Sequence, residues 1–144
     1  LIPSCGPLSL YYKPGIAVSR IENDLTDCRV AALRKVPVKN EIDVNPDIFI
    51  PPYQSCDGAG NCTTVPGRVI PGRITIFDAN EGLRADVTRQ CMANNGYERK
   101  TVPACPTSIA QAVIPAQTSI MPRLTKRSCA IKYREGRWQI VEQG

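Results

Sequence analysis

Cysteine is the residue type that most constrains the chemistry open to this chain. Seven are present, at Cys5, Cys28, Cys56, Cys62, Cys91, Cys105 and Cys129, and they lie far apart instead of in the close pairs that hold zinc. Disulfide pairing in an exported, oxidising compartment is the expectation. Histidine is absent, which removes the commonest general base, the commonest metal ligand and the usual proton switch near neutral pH. A carboxylate pair, a Ser-Lys pair or a reactive thiol are the catalytic chemistries left. Asp24 and Asp27, three residues apart, come nearest to a carboxylate pair, but solvated helix carboxylates share that spacing. Asn40, Glu41, Asp43, Asn45 and Asp47 supply oxygen ligands without the glycine and closing glutamate of a calcium loop. The sequence therefore predicts a non-enzyme with no catalytic residues, no metal and no cofactor.

The charge pattern narrows the partners. Eighteen basic and thirteen acidic residues give a formal net charge of +5, scattered in a way that does not match a nucleic-acid-binding surface. No stretch approaches the roughly 20 apolar residues of a spanning helix, so membrane association calls for an anchor or a surface contact. One local cluster stands out: Arg123, Lys126, Arg127, Lys132, Arg134 and Arg137, with Glu135 as the single acid among them. A two-residue turn at Glu135-Gly136 sets Tyr133 opposite Trp138 and Ile131 opposite Ile140. It also places Lys132, Arg134 and Arg137 together on the other face, with Arg134 across from Arg137. That row of cations is the predicted contact for anionic lipid or an acidic protein partner, although lysine and arginine on an edge strand also serve simply to prevent aggregation.

These residues must be positioned by a loop-rich chain. It carries thirteen prolines, ten glycines, two phenylalanines and a single tryptophan in 144 residues, enough for one domain but with a thin apolar supply. Leu8 to Tyr12 reads as a strand stopped by Lys13-Pro14-Gly15. Ser19 and Glu22 have the spacing of a capping box, and Ile21, Leu25, Cys28 and Ala32 continue as one helical face over 20–35, ended by Pro37. From Val38 to Ile76 the periodicity fails, punctuated by Asn45-Pro46, Pro51-Pro52, Pro66-Gly67 and Pro71-Gly72, which predicts short strands in a long excursion. Within it, Cys56-Asp-Gly-Ala-Gly-Asn-Cys62 reads as a tight loop closed by its own disulfide. Ile74 to Phe77 predicts a strand. A second helix follows, with Asp78 and Glu81 as its capping pair, Leu83, Val87 and Cys91 on its apolar face, and Gly96-Tyr97 as its end. Ser108 to Val113 suits one or two helical turns, and Ile120 to Leu124 an extended edge.

Leu1-Ile2-Pro3-Ser4-Cys5-Gly6 resembles the lipobox of bacterial lipoproteins, in which a small residue precedes a cysteine that becomes acylated. Cys5 is also the cysteine whose removal leaves an even six, and Gly6-Pro7 has a tether's composition. Residues 1–7 are thus expected to be a lipobox-like segment and tether, with cleavage before Cys5, and 8–144 a single disulfide-stapled domain. Beyond that, Tyr12-Lys-Pro-Gly15, Asp24-Leu-Thr-Asp-Cys28 and Cys91-Met-Ala-Asn-Asn-Gly96-Tyr97 are similar to a recurrent skeleton of small bacterial envelope lipoproteins. There an aromatic-x-Lys-Pro-Gly turn leads to a cysteine-bearing helix, and a later helix ends in Cys-Met-x-x-x-Gly-aromatic. The resemblance covers about half of the chain and implies two helices side by side, joined through Cys28 and Cys91; the apolar helical faces that carry both cysteines agree. With Cys56 paired to Cys62, Cys105 and Cys129 remain for each other. The expected fold is α+β, two disulfide-linked helices on short antiparallel strands with a C-terminal β-hairpin. The expected function is a lipid-anchored structural or interaction subunit of the cell envelope, facing the periplasm or cell surface; the alternative is a ligand-binding or inhibitory module that uses residues 38–76.

Overall fold

The computed structural model describes residues 6–144, so Cys5 and the rest of the lipobox-like segment lie outside the described residues. The chain is a mixed α+β structure. In order it forms β1 (Leu8–Tyr12), α1 (Val18–Lys35), β2 (Asn40–Asn45), β3 (Ile48–Ile50), β4 (Tyr53–Cys56), β5 (Cys62–Val65), β6 (Arg68–Ile70), β7 (Arg73–Asp78), α2 (Glu81–Asn94), β8 (Glu98–Val102), α3 (Thr107–Ala112), β9 (Ser128–Lys132) and β10 (Trp138–Glu142). It divides into two units: the segment through Val36 together with Leu83–Gly144, and Pro37–Gly82.

The first unit holds the core. β1 pairs antiparallel with β8, and β9 with β10. The chain just after β8 runs beside β9, where Cys105 N–H donates to the Ala130 carbonyl and Ala130 N–H to that of Pro103. Leu10, Ile21, Cys28, Met92, Tyr97, Val102, Met121 and Ala130 form the buried cluster between helices and strands. Two disulfides close it: Cys28–Cys91 joins α1 to α2, and Cys105–Cys129 ties the segment before α3 to β9. In the chain-entropy view these two longer loops contribute about 3 to 4 kcal/mol each.

Local signals were met unevenly. α2 ends as expected: Gly96 has φ 86°, its N–H donates to the Ala93 carbonyl, and Tyr97 N–H reaches back to Met92, which is the Schellman pattern. The start of α1 differs from the sequence reading. α1 begins at Val18, with Ala17 as its cap and no side-chain cap. Val18 N–H instead donates to the Ser119 carbonyl, so a neighbouring main chain does the work expected of Ser19. Before α2, Asp78 Oδ1 accepts the N–H of Asn80, the residue preceding the helix, together with that of Lys39. The apolar face of α2 is also narrower than Leu83, Val87 and Cys91 suggested. Leu83 is exposed, and Met92 is the buried residue of that helix, because α2 docks through its last turn, beside the disulfide.

The second unit is a long two-stranded ribbon. β2 pairs with β7, β3 with β6 and β4 with β5, all antiparallel. The register runs through without slippage: Asn45 faces Arg73 before the first interruption and Ile48 faces Ile70 after it, leaving Pro46-Asp47 against Pro71-Gly72. Ile50 faces Arg68 and Tyr53 faces Val65, leaving Pro51-Pro52 against Pro66-Gly67. Proline cannot donate to a ladder, so each proline pair interrupts the hydrogen bonding, and a glycine across from it lets the main chains close up. A Cβ on Gly72 would collide with the Asn45 carbonyl oxygen and stand 2.7 Å from the Pro46 carbonyl carbon; one on Gly67 would stand 2.9 Å from Pro52 Cδ. The Cys56–Cys62 disulfide closes the tip.

Candidate functional site

The ribbon's alternation decides which side chains it presents. Ile42 faces Ile76 and Val44 faces Ile74, and with side chains alternating along each strand these four lie on one face of the β2–β7 segment. Glu41, Asp43 and Asn45, with Phe77, Thr75 and Arg73 across from them, occupy the other. Ile42, Val44, Ile74 and Ile76 are 65%, 61%, 73% and 66% exposed. Ile48, Phe49, Val69 and Ile70, farther along, are exposed as well, and none of the described residues 37–82 is buried. The composition of these strands is that of a sheet interior, yet among the described residues their side chains stay largely exposed.

Charged groups hold the ends of the ribbon. At its base Asp78 accepts Lys39 N–H at 3.0 Å, and Asn80 Nδ2 donates to the Pro37 carbonyl at 2.9 Å. At the first interruption Asp47 Oδ1 accepts Gly72 N–H at 2.6 Å. At the tip Asp57 Oδ1 accepts the N–H groups of Ala59 and Asn61, both at 2.9 Å, and Oδ2 accepts Asn61 Nδ2 at 3.2 Å. The donors from Asn61 and Ala59 hold the Asp57 carboxyl below its ordinary value of 3.8. The tip is therefore a fixed loop, tied by a disulfide and a carboxylate together.

The basic row expected at the C-terminal hairpin is not formed as the sequence suggested. Glu135 and Gly136 both adopt positive φ, 64° and 74°, and Tyr133 N–H donates to the Arg137 carbonyl, which makes a three-residue loop of Arg134, Glu135 and Gly136. That extra residue shifts the register by one, so Lys132 faces Trp138 and Ile131 faces Gln139. A one-residue shift exchanges the faces of a strand. Lys132 thus shares a face with Trp138 and donates to the Pro7 carbonyl at 3.4 Å. Arg134 lies in the loop, and Arg137 pairs with Glu135 at 3.4 Å. The expected Arg134–Arg137 opposition is absent.

The other candidates take ordinary places. Asp24 accepts the Tyr97 hydroxyl and faces Arg20, while Asp27 is exposed on the same helix, so the two do not converge. Glu41, Asp43 and Asn45 share one face of β2 but are spread along it two residues apart, Asn40 lies on the other face, and Asp47 accepts Gly72 N–H; no group of three or more metal-ligating side chains occurs among the described residues. Cys28, Cys56, Cys62, Cys91, Cys105 and Cys129 are all engaged with one another, which leaves none of them as a partner for Cys5. No family model matches the chain, and no curated protein or solved structure matches it either.

Proposed function

We propose that the protein is a non-catalytic subunit of the bacterial cell envelope, held at a membrane by acylation of Cys5, which docks a second envelope protein onto the apolar face of its ribbon. The observation that carries this reading is the set Ile42, Val44, Ile74 and Ile76, four aliphatic side chains on one face and each more than half exposed. A lone two-stranded ribbon is marginal in water, and a contiguous apolar surface of this kind is typical of an interaction site. Burying the exposed remainder yields about 1–2 kcal/mol per side chain, part of which is lost to the cost of association. Anchoring at Cys5 rests on the lipobox-like run and on the closed pairing of the other six cysteines.

The test is a pull-down from detergent-solubilised membranes of the native host, comparing the parent with Ile42→Ser/Ile76→Ser. The parent should retain one stoichiometric partner and have the mass of an acylated chain starting at Cys5; the variant should keep the acyl mass and lose the partner. Equal recovery of the partner by both proteins sinks the docking reading, and an unmodified Cys5 sinks the anchor. An inhibitory module that inserts the rigid Cys56–Cys62 loop into a partner is the second reading. It predicts that Asp57→Ala abolishes capture while the double serine variant does not.

A further inference from the structure

Beside the buried face of α1, a stripe runs from Val18 and Ile21 through Glu22 and Leu25 to Arg29, and its two ends differ in exposure. Val18 and Ile21 are buried; Leu25 is half-buried, and Glu22 and Arg29 are exposed. Between this stripe and β1 lies a cleft of about 290 Å³, bounded also by Met121, Trp138 and Arg99. Its volume is at the small end of sites that take low-molecular-weight ligands. The apolar part is contributed by Leu10, Ile21, Leu25, Met121 and Trp138, all members of the first unit's core or packed against it. Glu22, Arg29 and Arg99 also line it, bringing two guanidiniums and one carboxylate.

Those cations carry the argument. Neither Arg29 nor Arg99 forms an ion pair among the described residues, and no acid stands three or four residues from Arg29 on α1 to pair with it. Arg99 comes from β8, faces Tyr11 across the β1–β8 ladder, and stacks over the Tyr11 ring with its carbon 4.7 Å from the ring centroid. Stacking uses the face of a guanidinium and leaves its N–H edge free for an oxygen acceptor. Two arginines against Glu22 leave the cleft with one net positive charge, which suits a head group of one negative charge. Trp138, the chain's single tryptophan, is only half-buried because it borders this opening.

We infer that the cleft binds a small amphiphilic carboxylate, with an apolar chain or ring against Leu10, Met121 and Trp138 and its carboxylate held by Arg29 and Arg99. This site is independent of the ribbon. Decanoate is the probe, decanol and acetate its controls, and binding is read both by Trp138 fluorescence and by calorimetry below the concentration at which decanoate self-associates. Decanoate should bind saturably and at least about tenfold more tightly than decanol, which lacks the charge that the arginines hold, and than acetate, which lacks the apolar chain. Arg29→Gln and Arg99→Gln should each weaken it about five- to tenfold, while Arg99→Lys, which keeps the charge, should weaken it less than Arg99→Gln. Both positions are exposed, so the variants should keep the parent's circular dichroism. Ile42→Ser/Ile76→Ser should bind decanoate as the parent does. The inference is overturned if decanol binds as tightly as decanoate, if Arg29→Gln/Arg99→Gln binds as the parent does, if the ribbon variant loses binding, or if neither readout saturates.

Discussion

Tyr97 offers the sharpest test of how the helices are held. It follows the glycine that ends α2, is 5% exposed, and donates its hydroxyl to Asp24 Oδ2 on α1 at 2.6 Å. Lys13 lies over its ring at 5.6 Å, and Arg20 faces the same carboxylate at 3.7 Å. Tyr97→Phe keeps the ring and opens no cavity, so its cost is that of the bond alone. A hydrogen bond to a charged group is worth about 1.5–3 kcal/mol, and because the Asp24 side chain is 25% exposed water recovers part of it, leaving about 1–2 kcal/mol. With a urea slope of about 2 kcal/mol per molar, the unfolding midpoint should fall by roughly 0.5–1 M.

The same contact sets a pH dependence. Burial, then the hydrogen bond to Asp24 and its negative charge, push the Tyr97 hydroxyl from 10.0 up to about 12, against a smaller lowering by Arg20. A folded-state value above the unfolded one means that the contribution is complete below pH 10. It is lost as pH rises from 10 to 12, because the unfolded chain releases a proton that the folded chain keeps. The parent should therefore lose stability over that window more steeply than Tyr97→Phe, by up to about 1.4 kcal/mol per pH unit. Urea titrations of the disulfide-intact proteins, followed by Trp138 fluorescence at several pH values, measure both effects. A Tyr97→Phe midpoint within 0.2 M of the parent at pH 7, or parallel alkaline losses in the two proteins, refutes the reasoning.

Two further predictions concern the ribbon. Gly72→Ala forces a Cβ into the main chain of Asn45 and Pro46, so amide hydrogen exchange should show lost protection in β2 and β7 with the β1–β8 amides unchanged; full protection of β2 contradicts the close approach. The Asp57 carboxyl is lowered chiefly by the Asn61 N–H, so order in the 56–62 loop should persist above pH 3.8 and be lost as pH falls further. A carboxyl-carbon NMR titration placing Asp57 at or above 3.8 would exclude that account.

How much of this was legible in the sequence depended on whether the signal was local. The end of α2 is written in Gly96 and Tyr97, because a left-handed residue and a following aromatic act within one turn. The short Cys56–Cys62 ring is local too, and Cys28 and Cys91 are placed by helical periodicity. The β1–β8 pairing was not legible, since nothing in Glu98 to Val102 alternates in polarity. Arg99 reaches the cleft through that strand, so the cleft stayed hidden with it; Arg29 had a weak signal, one turn beyond Leu25. At the hairpin the error was one residue, because Glu135 takes a left-handed conformation that non-glycine residues seldom adopt, and Glu-Gly therefore read as a two-residue turn.

The ribbon shows why a proline-rich stretch can mislead. Taken along the chain, Pro46, Pro51, Pro52, Pro66 and Pro71 break every run of alternation and suggest an irregular excursion. Laid antiparallel about the 56–62 loop, the interruptions fall opposite one another, two residues on each strand, so the alternation survives on both sides of each. Matched interruptions cost hydrogen bonds in pairs and shift no register, which keeps Ile42, Val44, Ile74 and Ile76 on one face where a single unmatched proline would have turned some of them over. They also deprive the ribbon's edges of a continuous row of free N–H groups, which blunts the edge-to-edge pairing that an exposed apolar strand invites. A ribbon with its edges interrupted and four aliphatic side chains together on one face of its β2–β7 segment is better suited to engage a partner by that face than by adding a strand. This is why the serine substitutions are placed at Ile42 and Ile76 and not in the main-chain ladder.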